Sequence, residues 1–199
     1  MKDLREALSK AMKEHCGVMK TASLYELGMD YRDIDRLLKE GYLVRVKSGY
    51  YSLKEEDLSE EQTIQAFFPD GVLCMESALY CYGYIKQKPL SWHIAVDKNT
   101  SKSRFLLDYP IVQPHYTEDF VLKSGVTTGV INDVEFKVYD RDRLICDCLK
   151  YESKLSHENL KAGLQGYLTD PEKDVSRLLT YAKERRVLSK VQKTLGVWL

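Results

Sequence analysis

The chain has 199 residues, 44% of them hydrophobic, with thirty basic and thirty acidic side chains and a net charge of zero. This length allows one large or two small domains with a real core. The balanced charge excludes a protein that grips nucleic acid by bulk electrostatics, so any such binding must come from local asymmetry.

Five cysteines, Cys16, Cys74, Cys81, Cys146 and Cys148, are odd in number and irregular in spacing, which argues against a disulfide framework. Cys146-Asp147-Cys148 lacks the two-residue spacer of a zinc hairpin, and no second pair or close histidine completes it. Buried reduced thiols are expected, with no metal and no cofactor. The opening MKDLREALSK lacks the apolar core of a signal peptide, and no segment is long enough to span a bilayer, so a cytoplasmic protein without a membrane partner is expected.

In chain order, residues 3–15 pattern as an amphipathic helix with Leu4, Leu8, Ala11 and Met12 on one face. Val18 to Leu53 then reads as helix, tight turn, helix, turn and short β-hairpin. Thr21 is placed to cap a helix from Ala22 to Leu27 with its hydroxyl, and Gly28 stops that helix. Asp30 caps a second helix, Tyr31 to about Glu40, and Gly41 ends it. On this second helix Ile34, Leu37 and Leu38 share an apolar face, while Arg32, Arg36 and Lys39 form a cationic ridge opposite. Ser48-Gly49 between two β-prone runs marks a hairpin, and Arg45 and Lys47 alternate with Val44 and Val46, so both cations are expected on one strand face.

Two helices about a glycine turn, the second cationic outward, suit a helix laid in the major groove, and a basic hairpin suits a wing on phosphate. The candidate DNA-binding residues are Lys20, Thr21, Tyr31, Arg32, Arg36, Lys39, Arg45 and Lys47. The competing reading is a small helical hairpin with a solvated charged face, which Asp33, Asp35 and Glu40 favour.

Within Leu27 to Tyr51, the residues Leu37-Leu38, Gly41-Tyr42-Leu43-Val44-Arg45-Val46 and Gly49-Tyr50-Tyr51 resemble the winged helix-turn-helix that opens AbiEi-family antitoxins, the antitoxin halves of bacterial type IV toxin–antitoxin pairs. The resemblance continues more weakly at Ser77-Ala78-Leu79 with Gly83, and at Val138 to Asp147, where Arg143, Leu144 and Asp147 match and Ile145 and Cys146 depart. It implies a repressor of its own operon that counteracts a nucleotidyltransferase-like toxin without a stable complex with it.

The acid-rich run Lys54 to Glu61 reads as a domain boundary. Beyond it, a helix from near Met75 to Gly83, which the resemblance implies is preceded by a strand, a strand at Trp92 to Val96, and short apolar strand candidates at Ile111-Val112 and Phe120 to Leu122 are expected. The hairpin Val126–Ile131, Asn132-Asp133, Val134–Tyr139 is the clearest element, followed by a helix capped by Asp140 in which Arg143 and Asp147 form an intrahelical pair. Ser77 has no nucleophile-elbow context and reads as a packing residue. The end of the chain reads as helical: one helix opened by Ser156, another started by Asp170-Pro171, and a last from Leu188 to Leu195. Residues 173 to 193 carry a net charge of plus five, a second candidate nucleic-acid or acidic-partner surface. The apolar tail Gly196-Val197-Trp198-Leu199 is expected to dock on the body or on another subunit.

Glu135-Phe136-Lys137 with Asp119 upstream has the form of a Mg²⁺-dependent nuclease motif, but such alternation also solvates an exposed strand. No catalytic residues are assigned. The expected architecture is α+β: a winged helix-turn-helix over residues 1–54, then an α/β antitoxin or effector domain over 63–199 with a helical C-terminal part. The expected partner is promoter double-stranded DNA, with inverted repeats if the protein binds as a homodimer. A protein-interaction module, a ligand-sensing regulator with tyrosines such as Tyr80 to Tyr84 lining a pocket, and the nuclease are the alternatives.

Overall fold

A computed structural model describes residues 2–196. The protein is mixed α+β, about half helix, with two sheets. It divides into two units, Met1–Pro69 and Asp70–Leu199.

In the first unit, α1 (Lys2–Glu14) presents Leu8, Ala11 and Met12 to a core that also holds Leu24, Met29, Ile34, Leu37, Leu43 and Tyr51. A strand, β1 (Val18–Lys20), follows after a turn at residues 15–17. Two helices come next: α2 (Thr21–Glu26) and α3 (Tyr31–Lys39), joined through Gly28, whose φ of +82° only glycine adopts without strain. Asp30 caps α3 through a reciprocal box with Asp33. The hairpin β2 (Leu43–Lys47) and β3 (Tyr50–Leu53) completes an antiparallel sheet in the order β1-β3-β2.

Three expectations change here. Lys20, not Thr21, is the cap residue of α2, and no side chain fills the cap. Thr21 is instead the first helical residue, and its hydroxyl donates to the Gly49 carbonyl at 3.3 Å, joining the start of α2 to the hairpin turn. The alternation of Arg45 and Lys47 is broken by a register shift: Arg45 pairs with Tyr51 and Lys47 with Tyr50, leaving Val46 as the extra residue of a bulge. Finally, α4 (Glu60–Phe67), capped by Ser59 and Gln62, belongs to the first unit. Phe67 meets Tyr50 edge-on at 4.7 Å, so the division falls after Pro69 and not between residues 54 and 63.

The second unit is built on a mixed five-stranded sheet. Its strands are β4 (Val72–Leu73), β5 (Trp92–Asp97), β6 (Val112–Thr117), β7 (Val126–Ile131) and β8 (Val134–Tyr139), in the order β6-β5-β4-β8-β7. The β7–β8 turn has Asn132 and Asp133 at φ +48° and +63°, the left-handed pair that a two-residue hairpin loop requires. Helix α5 (Met75–Cys81) follows β4 and packs on β5, where the buried Ser77 hydroxyl accepts the His93 N–H at 2.8 Å, the packing role the sequence suggests. Phe120 to Leu122 is helical, not a strand, within α6 (Asp119–Lys123). Asp119 and Lys123, four residues apart, bridge at 2.7 Å along that turn.

Helix α7 (Arg141–Lys150) is the centre of this unit. Its residues Asp142 to Leu149 are all buried, because α5, α8 (His157–Thr169), α9 (Val175–Glu184) and α10 (Leu188–Leu195) pack around it. A helix enclosed on every side must satisfy its polar residues internally. Asp142 accepts from the Tyr167 hydroxyl at 2.8 Å, the Asp174 N–H at 2.9 Å and Arg177 Nε at 2.6 Å. Asp147 accepts from Arg143 Nε at 2.8 Å and Arg185 Nε at 2.7 Å. The expected Arg143–Asp147 pair is thus present and buried. The helix expected to start at Asp170-Pro171 starts later, at Val175, capped by Asp174, because Asp170 is held by the Tyr84 hydroxyl and Arg141. Val197, Trp198 and Leu199 lie outside the described residues.

Candidate nucleic-acid interface

The sequence-derived site residues fall into two groups in the first unit. The first group stands on α3. Ile34 and Leu37 are buried at 3% and 1% exposure and fix which way the helix is turned. Tyr31, Arg32, Arg36 and Lys39 are therefore exposed, Tyr31 at 70%. Arg36 donates to Asp33 at 2.6 Å, and Lys39 bridges Asp35 at 2.6 Å. That hydrogen bond with Asp35 raises the Lys39 pKa, so the ammonium charge is secure. Arg32 has no partner among the described residues.

The acids that flank the cationic ridge therefore engage two of its three members. Exposed pairs of this kind are worth about 0–1 kcal/mol, so exchange of a carboxylate for a phosphate costs little. Asp33 also closes the cap of α3 through the Asp30 N–H at 3.2 Å, so Arg36 is held by a carboxylate that is itself fixed. Glu40 is drawn away to Arg5 on α1, at 2.5 Å.

The second group lies on the sheet. Lys20 on β1 and Lys47 on β2 both stand opposite Tyr50 on the central strand, and the Lys20 ammonium lies 5.7 Å from that ring. Arg45 lies over the Tyr51 ring at 5.7 Å, and Lys47 over Phe67 at 5.9 Å. Cations resting on aromatic faces keep their charge while their stems are ordered. Thr21 is half-buried against the hairpin turn, so its contribution is to position that turn.

Tyr50 is the residue that the sequence reading overlooks. Its place between two lysines depends on β1, and the three residues Val18-Met19-Lys20 are too short to show strand periodicity. The signal was present only as a β-prone pair ahead of Lys20.

The C-terminal basic run behaves differently. Arg177 and Arg185 serve the buried acids of α7, and Lys190 bonds the Leu149 carbonyl at 3.1 Å and Glu152 at 2.8 Å. Two of its seven cations thus complement Asp142 and Asp147, while Lys183, Arg186 and Lys193 are exposed. Of the nuclease-like residues, Asp119 and Lys137 line one cavity with Asp70 and Asp97, whereas Glu135 is not among its lining residues. Among the described residues, no three His, Cys, Asp or Glu side chains gather where they could hold a metal ion. No helix among the described residues is long and apolar enough to cross a membrane.

No family model matches the chain, and none of the curated proteins compared with it matches.

Proposed function

We propose that the protein is a sequence-specific DNA-binding transcriptional repressor, its first unit acting as a winged helix-turn-helix. In this reading α2 and α3 are the helix-turn-helix, α3 enters the major groove, and the β2–β3 hairpin is the wing. The observation that carries it is the division of α3 into a buried apolar face and an exposed face bearing Tyr31, Arg32, Arg36 and Lys39. Arg32 and Arg36 reach base edges or phosphates, while Lys39, Lys20, Arg45 and Lys47 contact the backbone.

The narrower reading is an AbiEi-like antitoxin that represses its own operon and counteracts a nucleotidyltransferase-type toxin without a stable complex. The sequence resemblance supports it through Leu37 to Tyr51 and through Arg143, Leu144 and Asp147. The neighbouring gene tests it: a nucleotidyltransferase reading frame whose toxicity is relieved by co-expression of this chain is the expected result. A non-toxic or unrelated neighbour removes the antitoxin role and leaves the regulator.

The specific observation that favours a protein-binding module is the pairing of Arg36 and Lys39 with Asp33 and Asp35. Salt separates the two readings. Phosphate contacts release counterions, so affinity for the chain's own upstream DNA should fall steeply between about 50 and 200 mM salt. Salt-insensitive or undetectable DNA binding favours the protein partner.

A further inference from the structure

The second unit contains a cavity of about 290 Å³ whose charges do not balance. One wall is the sheet face carrying Ala95 of β5, Gln113 to Thr117 of β6 and Tyr139 of β8. The other is formed by Arg143 and Asp147 of α7, the turn holding Tyr151 and Lys154, and Arg185 at the end of α9.

Asp147, with its side chain 6% exposed, is shared by two guanidiniums, Arg143 at 2% and Arg185 at 12% exposure. Arg143 is otherwise well used: Nη1 donates to the carbonyls of Val121 and Ser124, and the group lies 4.3 Å over the Tyr139 ring. Arg185 has only its Nε bond to Asp147 among the described residues, so its terminal nitrogens remain available. Lys154 adds a third cation to the lining. The nearby Asp140 is occupied by the Arg143 N–H and the Tyr181 hydroxyl and does not line the cavity.

Partly buried positive charge in excess of its counter-ions is costly unless another anion completes the set. Tyr139 also lines this cavity, and its buried hydroxyl has no hydrogen-bond partner among the described residues. The lining also includes the aromatic residues His115, Tyr116, Tyr139 and Tyr151. Burial, with neighbouring His93 and Lys154, lowers the His115 pKa to about 4, so it adds no charge at neutral pH.

We propose that this cavity binds a small organic anion, a carboxylate or phosphate monoester carried on a planar ring, with its charge on Arg185 and Lys154 and its ring among the tyrosines. The volume lies near the lower end of small-molecule sites, about 300 Å³, and suits a molecule of one ring system and one charged group.

Isothermal titration of the full chain, without DNA, tests it with three probes: 4-hydroxybenzoate, adenosine 5′-monophosphate and inorganic phosphate. A ring-bearing anion should bind one-to-one with Kd below about 1 mM, and inorganic phosphate at least about tenfold more weakly. Which of the two ring-bearing probes binds tells carboxylate from phosphate. Arg185→Gln should weaken that binding about tenfold or more, through loss of a charge-assisted contact. Lys154→Gln, at an exposed residue away from the helical core, should weaken it several-fold with an unchanged melting temperature. The proposal is overturned if neither ring-bearing anion binds at about 1 mM, or if Lys154→Gln binds as tightly as the parent.

Discussion

The Asp33 carboxylate holds the Arg36 guanidinium at 2.6 Å with one oxygen while the other takes the Asp30 N–H at 3.2 Å. Helix cap and candidate base-reading arginine are therefore parts of one hydrogen-bonded arrangement. Asp33→Ala should cost about 1 kcal/mol of stability in the first unit through the cap. It should also remove a negative charge beside the duplex and release Arg36. Binding to a scrambled duplex should tighten, and the ratio of specific to non-specific affinity should fall, as read by gel shift on both duplexes.

Gly28 separates the two helices at φ +82°, and a Cβ added there would meet nothing within 4 Å. The cost of Gly28→Ala is thus backbone strain alone, about 1–2 kcal/mol. Urea unfolding followed through the first unit checks this. An unchanged midpoint would mean that the turn relaxes.

Most of the local elements were legible because their signals are local. Asp30 and Gly41 bound α3, Asn132-Asp133 marks the β7–β8 turn, and the Leu188–Leu195 helix shows plain periodicity. What escaped depends on partners distant in sequence. Thr21 looks like a cap until Gly49 offers its carbonyl. The bulge at Val46 is invisible because alternation in the sequence says nothing of the opposing strand. Phe120 to Leu122 is apolar enough for a strand, yet Asp119 and Lys123 bridge across one helical turn. At the candidate site, the α3 residues could be read from periodicity, whereas Tyr50 between Lys20 and Lys47 required the register of three strands.

Asp142 is fully buried and accepts from Tyr167, Asp174 and Arg177. Asp142→Ala leaves the buried Tyr167 hydroxyl without an acceptor and should destabilise the second unit by about 3–5 kcal/mol. Arg177, with 47% of its side chain exposed, sits at the wet end of that pair. Arg177→Gln leaves that buried carboxylate without its cation but keeps a donor at a wet position, and should cost less, about 1–3 kcal/mol. Chemical denaturation of the two variants should show this asymmetry.

Burial, the neighbouring His93 and Lys154 push the His115 pKa from 6.5 down to about 4. Its Nε2 lies 3.0 Å from His93 Nδ1, and the His93 pKa is also lowered by burial, with Glu76 acting in the opposite direction. Below about 6.5 the unfolded chain takes up a proton on His115 that the folded chain refuses until about 4. The unfolded state binds more protons in that window, so stability falls as pH falls through it. His115→Gln should flatten the decline, as measured by urea midpoints at about pH 7 and about pH 5.

Arg45 rests on the Tyr51 ring and is assigned a phosphate. Arg45→Ala should weaken binding to specific and scrambled duplexes alike and lower the slope of log affinity against log salt by about one. A sequence-dependent loss would assign this arginine to a base edge.

The central claim is that the exposed face of α3 reads DNA. Its most direct measurement is a gel-shift titration of the chain's own upstream DNA with wild type and with Arg32→Ala/Arg36→Ala, each against a scrambled duplex. The account predicts a loss of specific affinity of about 1–3 kcal/mol for each arginine that contacts a base, with a smaller loss on the scrambled duplex from the two missing charges. Equal binding of the upstream DNA by wild type and double variant would contradict it.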